Sequence, residues 1–146
     1  MDYKHFPIGV HQILQRADGK ILLLKRAVTK SFLPGTWWLP GGHHDGDQTL
    51  EESSAREALE EVGVTVSMEY QRMACIAHTK VGLEALHAFC IATKWQGEPV
   101  NNEPEDASEI GWFDIDNLPS PLPEFVERAI RTAVRGRDLT YFKLEI

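Results

Sequence analysis

A helix with both ends written into the sequence constrains this chain most. Thr49 stands three residues before Glu52, the spacing at which the two side chains bond each other's backbone N–H in a capping box. Gly63 supplies a left-handed stop. Between them Ala55, Ala58, Leu59 and Val62 follow the i, i+3, i+4, i+7 rhythm of one buried face. Such a helix needs an apolar surface to lie on, and the segments around it are rich in strand formers.

Residues 6–15 and 21–25 are apolar and separated by Asp18-Gly19, a dipeptide that favours a hairpin, so the chain is predicted to open with two paired strands. Residues 27–36, with Pro34-Gly35, read as a loop before the short apolar Trp37-Trp38-Leu39 and a turn at Pro40-Gly41-Gly42. A polar loop then runs to Gln48. Residues 64–77 and 83–93 read as strands, a short helix around Glu84-Ala85-Leu86 being the alternative for the second. Residues 95–108 form a loop and 110–115 a strand. Ser120-Pro121 signals a second helix, in which Leu122, Phe125, Val126, Ala129, Ile130, Ala133 and Val134 make an apolar stripe up to Gly136. For residues 138–146, with Tyr141, Phe142, Leu144 and Ile146, a strand, a homodimer contact and a frayed end all stay open. No repeat or linker divides the 146 residues, which predict one domain over 1–146 of class α+β or three-layer α/β/α.

A net charge of −7 offers no general attraction to nucleic-acid backbones or anionic membranes, so the expected partner is a small molecule, with neither nucleic acid nor membrane. A polyphosphate would need locally placed cations. No run reaches transmembrane length and the first nine residues lack the apolar core of a signal peptide. Cys75 and Cys90 lack CxxC spacing and read as buried thiols, so a reducing compartment, the cytoplasm, is expected.

At 100° per residue, Glu57, Glu60 and Glu61 cluster on one side of the first helix, roughly 160° from its apolar stripe. Like charges so close disfavour joint ionisation, a conflict that a divalent cation resolves. The bland alternative is a solvated helix face.

Gly42, Arg56-Glu57, Glu60-Glu61, Gly63 and Val64 decide between them, because together they reproduce most of the Nudix box over residues 42–64. At average residue usage this match recurs by chance on the order of 10⁻⁷ to 10⁻⁸ per start point. Trp38-Leu39-Pro40-Gly41-Gly42, Trp112-Phe113 and Leu118-Pro119 are also similar to the Nudix pattern. The chain departs from the box at Gln48, where the family carries a glutamate, and at Ala58, where it carries a larger apolar residue.

This resemblance implies an α/β/α sandwich around a mixed β-sheet, and hydrolysis of a diphosphate linkage in a nucleoside diphosphate derivative. Nucleoside triphosphates are favoured over nucleotide sugars, ADP-ribose or dinucleoside polyphosphates, on likeness to MutT-type members. It implies Mg²⁺, with Mn²⁺ able to substitute, held by Glu57, Glu60, Glu61 and the Gly42 carbonyl. Arg56 would orient the carboxylates, and Glu60, Glu103, Glu105 and Glu109, in that order, are candidates for the general base.

Around the box, His43 and His44 are positioned for phosphate contact, though His44 is equally readable as a solvated loop residue. Lys25 and Arg26, at a strand end, are candidate phosphate contacts. Phe32, Trp37, Trp38, Trp112 and Phe113 are the aromatics available to a nucleobase, with Trp37 chosen as the stacking residue. His78 and His87, in strand-like segments, read as structural. Two non-enzymatic classes compete: a binding module on the same scaffold, which the full glutamate set disfavours, and an interaction protein, for which no heptad speaks.

Overall fold

The computed structural model describes residues 1–80 and 82–145. In chain order the elements are strands β1 (Ile8–Leu14), β2 (Ile21–Arg26), β3 (Trp37–Trp38) and β4 (Gly41–His43), then helix α1 (Leu50–Val62). Strands β5 (Thr65–Val66), β6 (Gln71–Lys80), β7 (Ala85–Ala92), β8 (Trp95–Gln96) and β9 (Ala107–Phe113) follow, then helix α2 (Glu124–Arg135) and strand β10 (Thr140–Glu145). A five-stranded sheet runs β10-β6-β7-β1-β4 and a three-stranded one β3-β2-β9, while β5 and β8 pair separately. β1 lies parallel to β7 and β10 parallel to β6, the other pairings being antiparallel.

The central strands are apolar on both faces and feed two cores. Ile13, Ile21 and Leu23 join Phe89 and the Val126, Ala129, Ile130 and Ala133 face of α2. Their neighbours Leu14, Leu22 and Leu24 join Ala58 and Val62 of α1 on the other side, as the two-residue period of a strand requires. The architecture is thus an α/β/α sandwich around a mixed sheet. No helix among the described residues is long and apolar enough to cross a membrane.

Four local expectations change. The turn at Asp18-Gly19 forms, with Gly19 at φ 90°, but β1 and β2 share only the bridge Gln15–Ile21 and then enter different sheets. Each is buried on both faces and takes two neighbours of its own, which a simple hairpin cannot supply. Gly41-Gly42 is not a turn but part of β4, paired with Val10 and His11 of β1. α2 starts at Glu124 rather than near Ser120, since Pro123 disfavours a helical conformation at Leu122. Finally, Leu59 is exposed, and α1 instead buries Ser53, Ser54, Ala58 and Val62.

Residues 83–93 hold strand β7, not a helix, and the tail contributes β10 as an edge strand, with Ile146 outside the described residues. Cys75 and Cys90 are buried free thiols, each pushed up to about 12 by burial.

Candidate functional site

α1 is held at both ends as the sequence implies. Thr49 Oγ1 accepts from Glu52 N–H at 3.1 Å, Thr49 N–H donates to Glu52 Oε1 at 3.0 Å, and Gly63 adopts φ 75°. Ser54 Oγ donates to the His11 carbonyl at 2.8 Å, tying the buried side of the helix to β1. Glu61 follows Ser54 by seven residues and so lies only about 20° from it around the helix. Its carboxylate therefore faces inward, and Oε2 accepts the Gly41 N–H at 2.7 Å.

The three glutamates do not share one solvent face. Glu57 presses on β4, where a Cβ on Gly42 would lie 2.7–2.9 Å from its carboxylate atoms. Glu60 is exposed and accepts from Arg56 Nη1 at 3.3 Å. The Arg56 fork also donates through Nε to Gln48 Oε1 at 3.0 Å and lies 3.5 Å from Glu57 Oε1. Arg56 thus links the loop before the helix to two of the carboxylates, a geometry that suits its planar, multi-donor head.

Burial raises the Glu61 carboxyl to about 8; Glu57 and Glu103 add repulsion, and the Gly41 hydrogen bond opposes the rise. Glu57 is raised by burial and then by Glu60, with Arg56 opposing. Glu103 is raised by burial and then by Asp106. Oxygen donors that raise one another's pKa beside a glycine-cleared backbone fit a hard divalent cation. Among the described residues no three acidic, imidazole or thiol groups close into a cage. Water and ligand oxygens would complete the shell, as is usual for Mg²⁺.

Glu61 opens onto a cavity of about 780 Å³, which Gly41, Gly42, His43 and Glu103 also line. Arg26 and Lys30 bring positive charge to it, Lys30 Nζ pairing with Asp106 at 3.1 Å. Arg26 donates to the Phe32 carbonyl at 2.9 Å and lies 5.5 Å from the Trp38 ring; burial lowers its pKa. Trp38 and Phe125, edge to face at 5.6 Å, form an aromatic wall, with His11 and His87 beside them.

Of the residues singled out in the sequence, the cavity thus gathers Gly42, His43, Glu61, Glu103, Arg26, Phe32 and Trp38, while Arg56, Glu57 and Glu60 lie outside its lining. Lys25 and Trp37 do not line it, because neighbours on a strand point to opposite faces. Lys25 Nζ sits 5.9 Å from the Trp37 ring, and Trp37 packs edge-on against Phe113 at 4.9 Å in the core. Glu105 and Glu109 are also absent from the lining, and His44 turns to Ser53 at 3.2 Å. Sequence reasoning missed Lys30, His11, His87 and Phe125. Phe125 was visible only as one position of an apolar stripe, and His11 as a polar residue beside Gln12 in a strand.

The NUDIX domain profile matches residues 5–133. The chain belongs to the Nudix hydrolase family. A MutT-like protein of Streptomyces ambofaciens is 29% identical over 88% of this Nudix chain and 77% of its own length. The NAD-capped RNA hydrolase NudC of Chromobacterium violaceum is 36% identical over 83% of this chain but only 44% of its own length, and that share falls to 20% for another curated relative. A crystal structure of the MutT NUDIX hydrolase from Burkholderia pseudomallei superposes with TM-score 0.80 at 30% identity, covering 88% of this chain and 98% of that one. Members of the family generally use divalent cations and act on small nucleotides.

Proposed function

We propose that this Nudix chain is a pyrophosphohydrolase that uses Mg²⁺, or Mn²⁺ in its place, to cut a nucleoside triphosphate into a nucleoside monophosphate and pyrophosphate. The reading rests on one observation: a single cavity adjoins the Glu61 carboxylate, two cations and an aromatic wall. Those are the separate needs of a cation–diphosphate centre, a phosphate tail and a base.

Glu57, Glu60, Glu61 and the Gly42 carbonyl are the groups that would hold the cation, with Arg56 fixing the angle of Glu57 and Glu60. A divalent cation held there supplies charge neutralisation for the phosphate oxygens and lowers the pKa of an attacking water. Arg26, Lys30 and His43 bind the phosphates, and the wall of Trp38 and Phe125 packs against the base and excludes water from that side. Glu60 and Glu103 are the carboxylates assigned to accept the proton released by the attacking water.

Formation of nucleoside monophosphate from nucleoside triphosphates, nucleotide sugars, ADP-ribose and dinucleoside polyphosphates, with Mg²⁺ and with chelator, tests the reading. Cleavage of at least one triphosphate with Mg²⁺, with label from H₂¹⁸O appearing on a phosphate of the cleaved linkage, is expected. Full turnover in chelator sinks the cation assignment. Tight binding without cleavage across the panel at neutral and alkaline pH favours a binding module instead.

A further inference from the structure

His11, buried, and His87, half-buried, form a polar element inside the apolar part of the cavity. His11 Nε2 and His87 Nδ1 lie 3.0 Å apart, and both rings line the cavity. The His11 ring is 6% exposed, stacks on Phe89 at 4.6 Å, and leaves Nδ1 without a partner among the described residues. His87 packs against Phe125 at 4.7 Å. Gly9 makes room for the pair: a Cβ there would sit 2.9 Å from His87 Nδ1 and 3.2 Å from His11 Nε2. An apolar wall gains nothing from two imidazoles, so their presence needs a polar reason.

Proton counting restricts what the pair presents to a ligand. Burial holds both rings neutral: His11 lies well below the ordinary imidazole range and His87 falls to about 4. Two neutral imidazoles carry two N–H protons on four nitrogens, and the hydrogen bond between the rings uses one of them. Of the outer nitrogens, His11 Nδ1 and His87 Nε2, one then has a proton and the other a lone pair. His11 Nδ1 is sealed from partners, and a buried orphan N–H is rarer than a buried under-used acceptor. The favoured arrangement leaves His11 Nδ1 bare, His11 Nε2–H donating to His87 Nδ1, and the proton of His87 on Nε2. His87 Nε2 has no hydrogen bond among the described residues, yet it is not among the sealed, unpartnered atoms, so it is open to a ligand.

We propose that this imidazole pair sets base specificity, His87 Nε2–H donating to a ring carbonyl oxygen so that oxo-bases are favoured over amino-bases. His87 is the contact residue, and His11 is a positioning residue that fixes the tautomer of His87 from behind. The proposal rests on the reading of the cavity as a nucleotide site but not on hydrolysis.

Inosine and adenosine 5′-monophosphates differ where it matters, one carrying an oxo group at C6 and the other an amino group. Calorimetric titration of each in excess chelator is expected to show inosine monophosphate binding about tenfold more tightly, as one neutral hydrogen bond gained and one mismatch avoided imply. His87→Phe, which keeps the ring but not the donor, removes the preference, and His87→Gln, which keeps an N–H, restores part of it. His11→Phe narrows the ratio without touching ligand. Histidine ¹⁵N spectra of the wild-type protein supply a readout independent of variant folding, with His11 and His87 both expected as Nε2–H tautomers. Equal affinities, a preference unchanged in His87→Phe, His87 protonated at Nδ1, or binding of neither monophosphate overturns the proposal. Triphosphate cleavage alongside any of these results leaves the hydrolase reading intact, whereas absence of both binding and cleavage removes the nucleotide reading itself.

Discussion

In metal-free protein, Glu61→Gln is expected to raise stability at alkaline pH while removing a proposed cation ligand. The folded protein holds the Glu61 proton up to about pH 8, whereas in the unfolded chain it leaves near 4.5. Below 4.5 both states are protonated and the group contributes no difference. Between 4.5 and about 8 the folded state binds the extra proton, so wild-type stability falls by about 1.4 kcal/mol per pH unit, and above 8 the loss is constant. The full effect reaches up to about 5 kcal/mol, an upper bound because the cluster relaxes and admits water. A glutamine amide oxygen still accepts the Gly41 N–H and carries no charge toward Glu57. Urea unfolding in excess chelator should therefore show variant and wild type nearly equal near pH 4.5 and the variant several kcal/mol more stable at pH 9, on the order of 10 °C in Tm for a chain of this size. Adding Mg²⁺ reverses the order, because an ion bound only by the folded wild type stabilises it by mass action. A wild type more stable than the variant at pH 9 in chelator, or a difference independent of pH, refutes the reasoning.

Glu57→Gln and Glu60→Gln are each expected to lower kcat by about 10² or more, as removal of charge-stabilising groups does, and unchanged rates in both reject their roles. Gly42→Ala meets only the movable end of Glu57, so Mn²⁺ affinity measured by titration should fall while the thermal melt changes little. Gly41→Ala instead puts a Cβ 2.3 Å from the Val10 carbonyl, and should cost about 1–3 kcal/mol or more in the same melt. Gln48→Glu replaces the amide oxygen bonded to Arg56 by a charge and should add about 0–1 kcal/mol without loss of activity, read by denaturation and turnover together.

The aromatic and cationic residues of the cavity show how much of the site was legible. Arg26 and Lys25 are adjacent in sequence, and nothing local says which faces the ligand; the pairing of β2 with β3 and β9 decides it. The same parity separates Trp38 from Trp37. His87 read as structural because its strand was visible while its neighbour across the sheet, Gly9, was not. The parallel pairing of β1 with β7 brings together His11 and His87, 76 positions apart, and no periodicity announces it.

By itself the sequence determined α1 with both caps, the box residues upon it, the mixed class and the second amphipathic helix, because these depend on contacts within one or two helical turns or on a short motif. Tertiary structure alone decided which way the carboxylates face. Glu61 is polar, and local reasoning sends it to water, yet it lies at nearly the angle of buried Ser54 and meets the Gly41 N–H once β4 docks beside β1. Burial, and with it a carboxyl pKa near 8, is a property of what packs around a residue, and that is set by strand order and glycine clearance across the sheet.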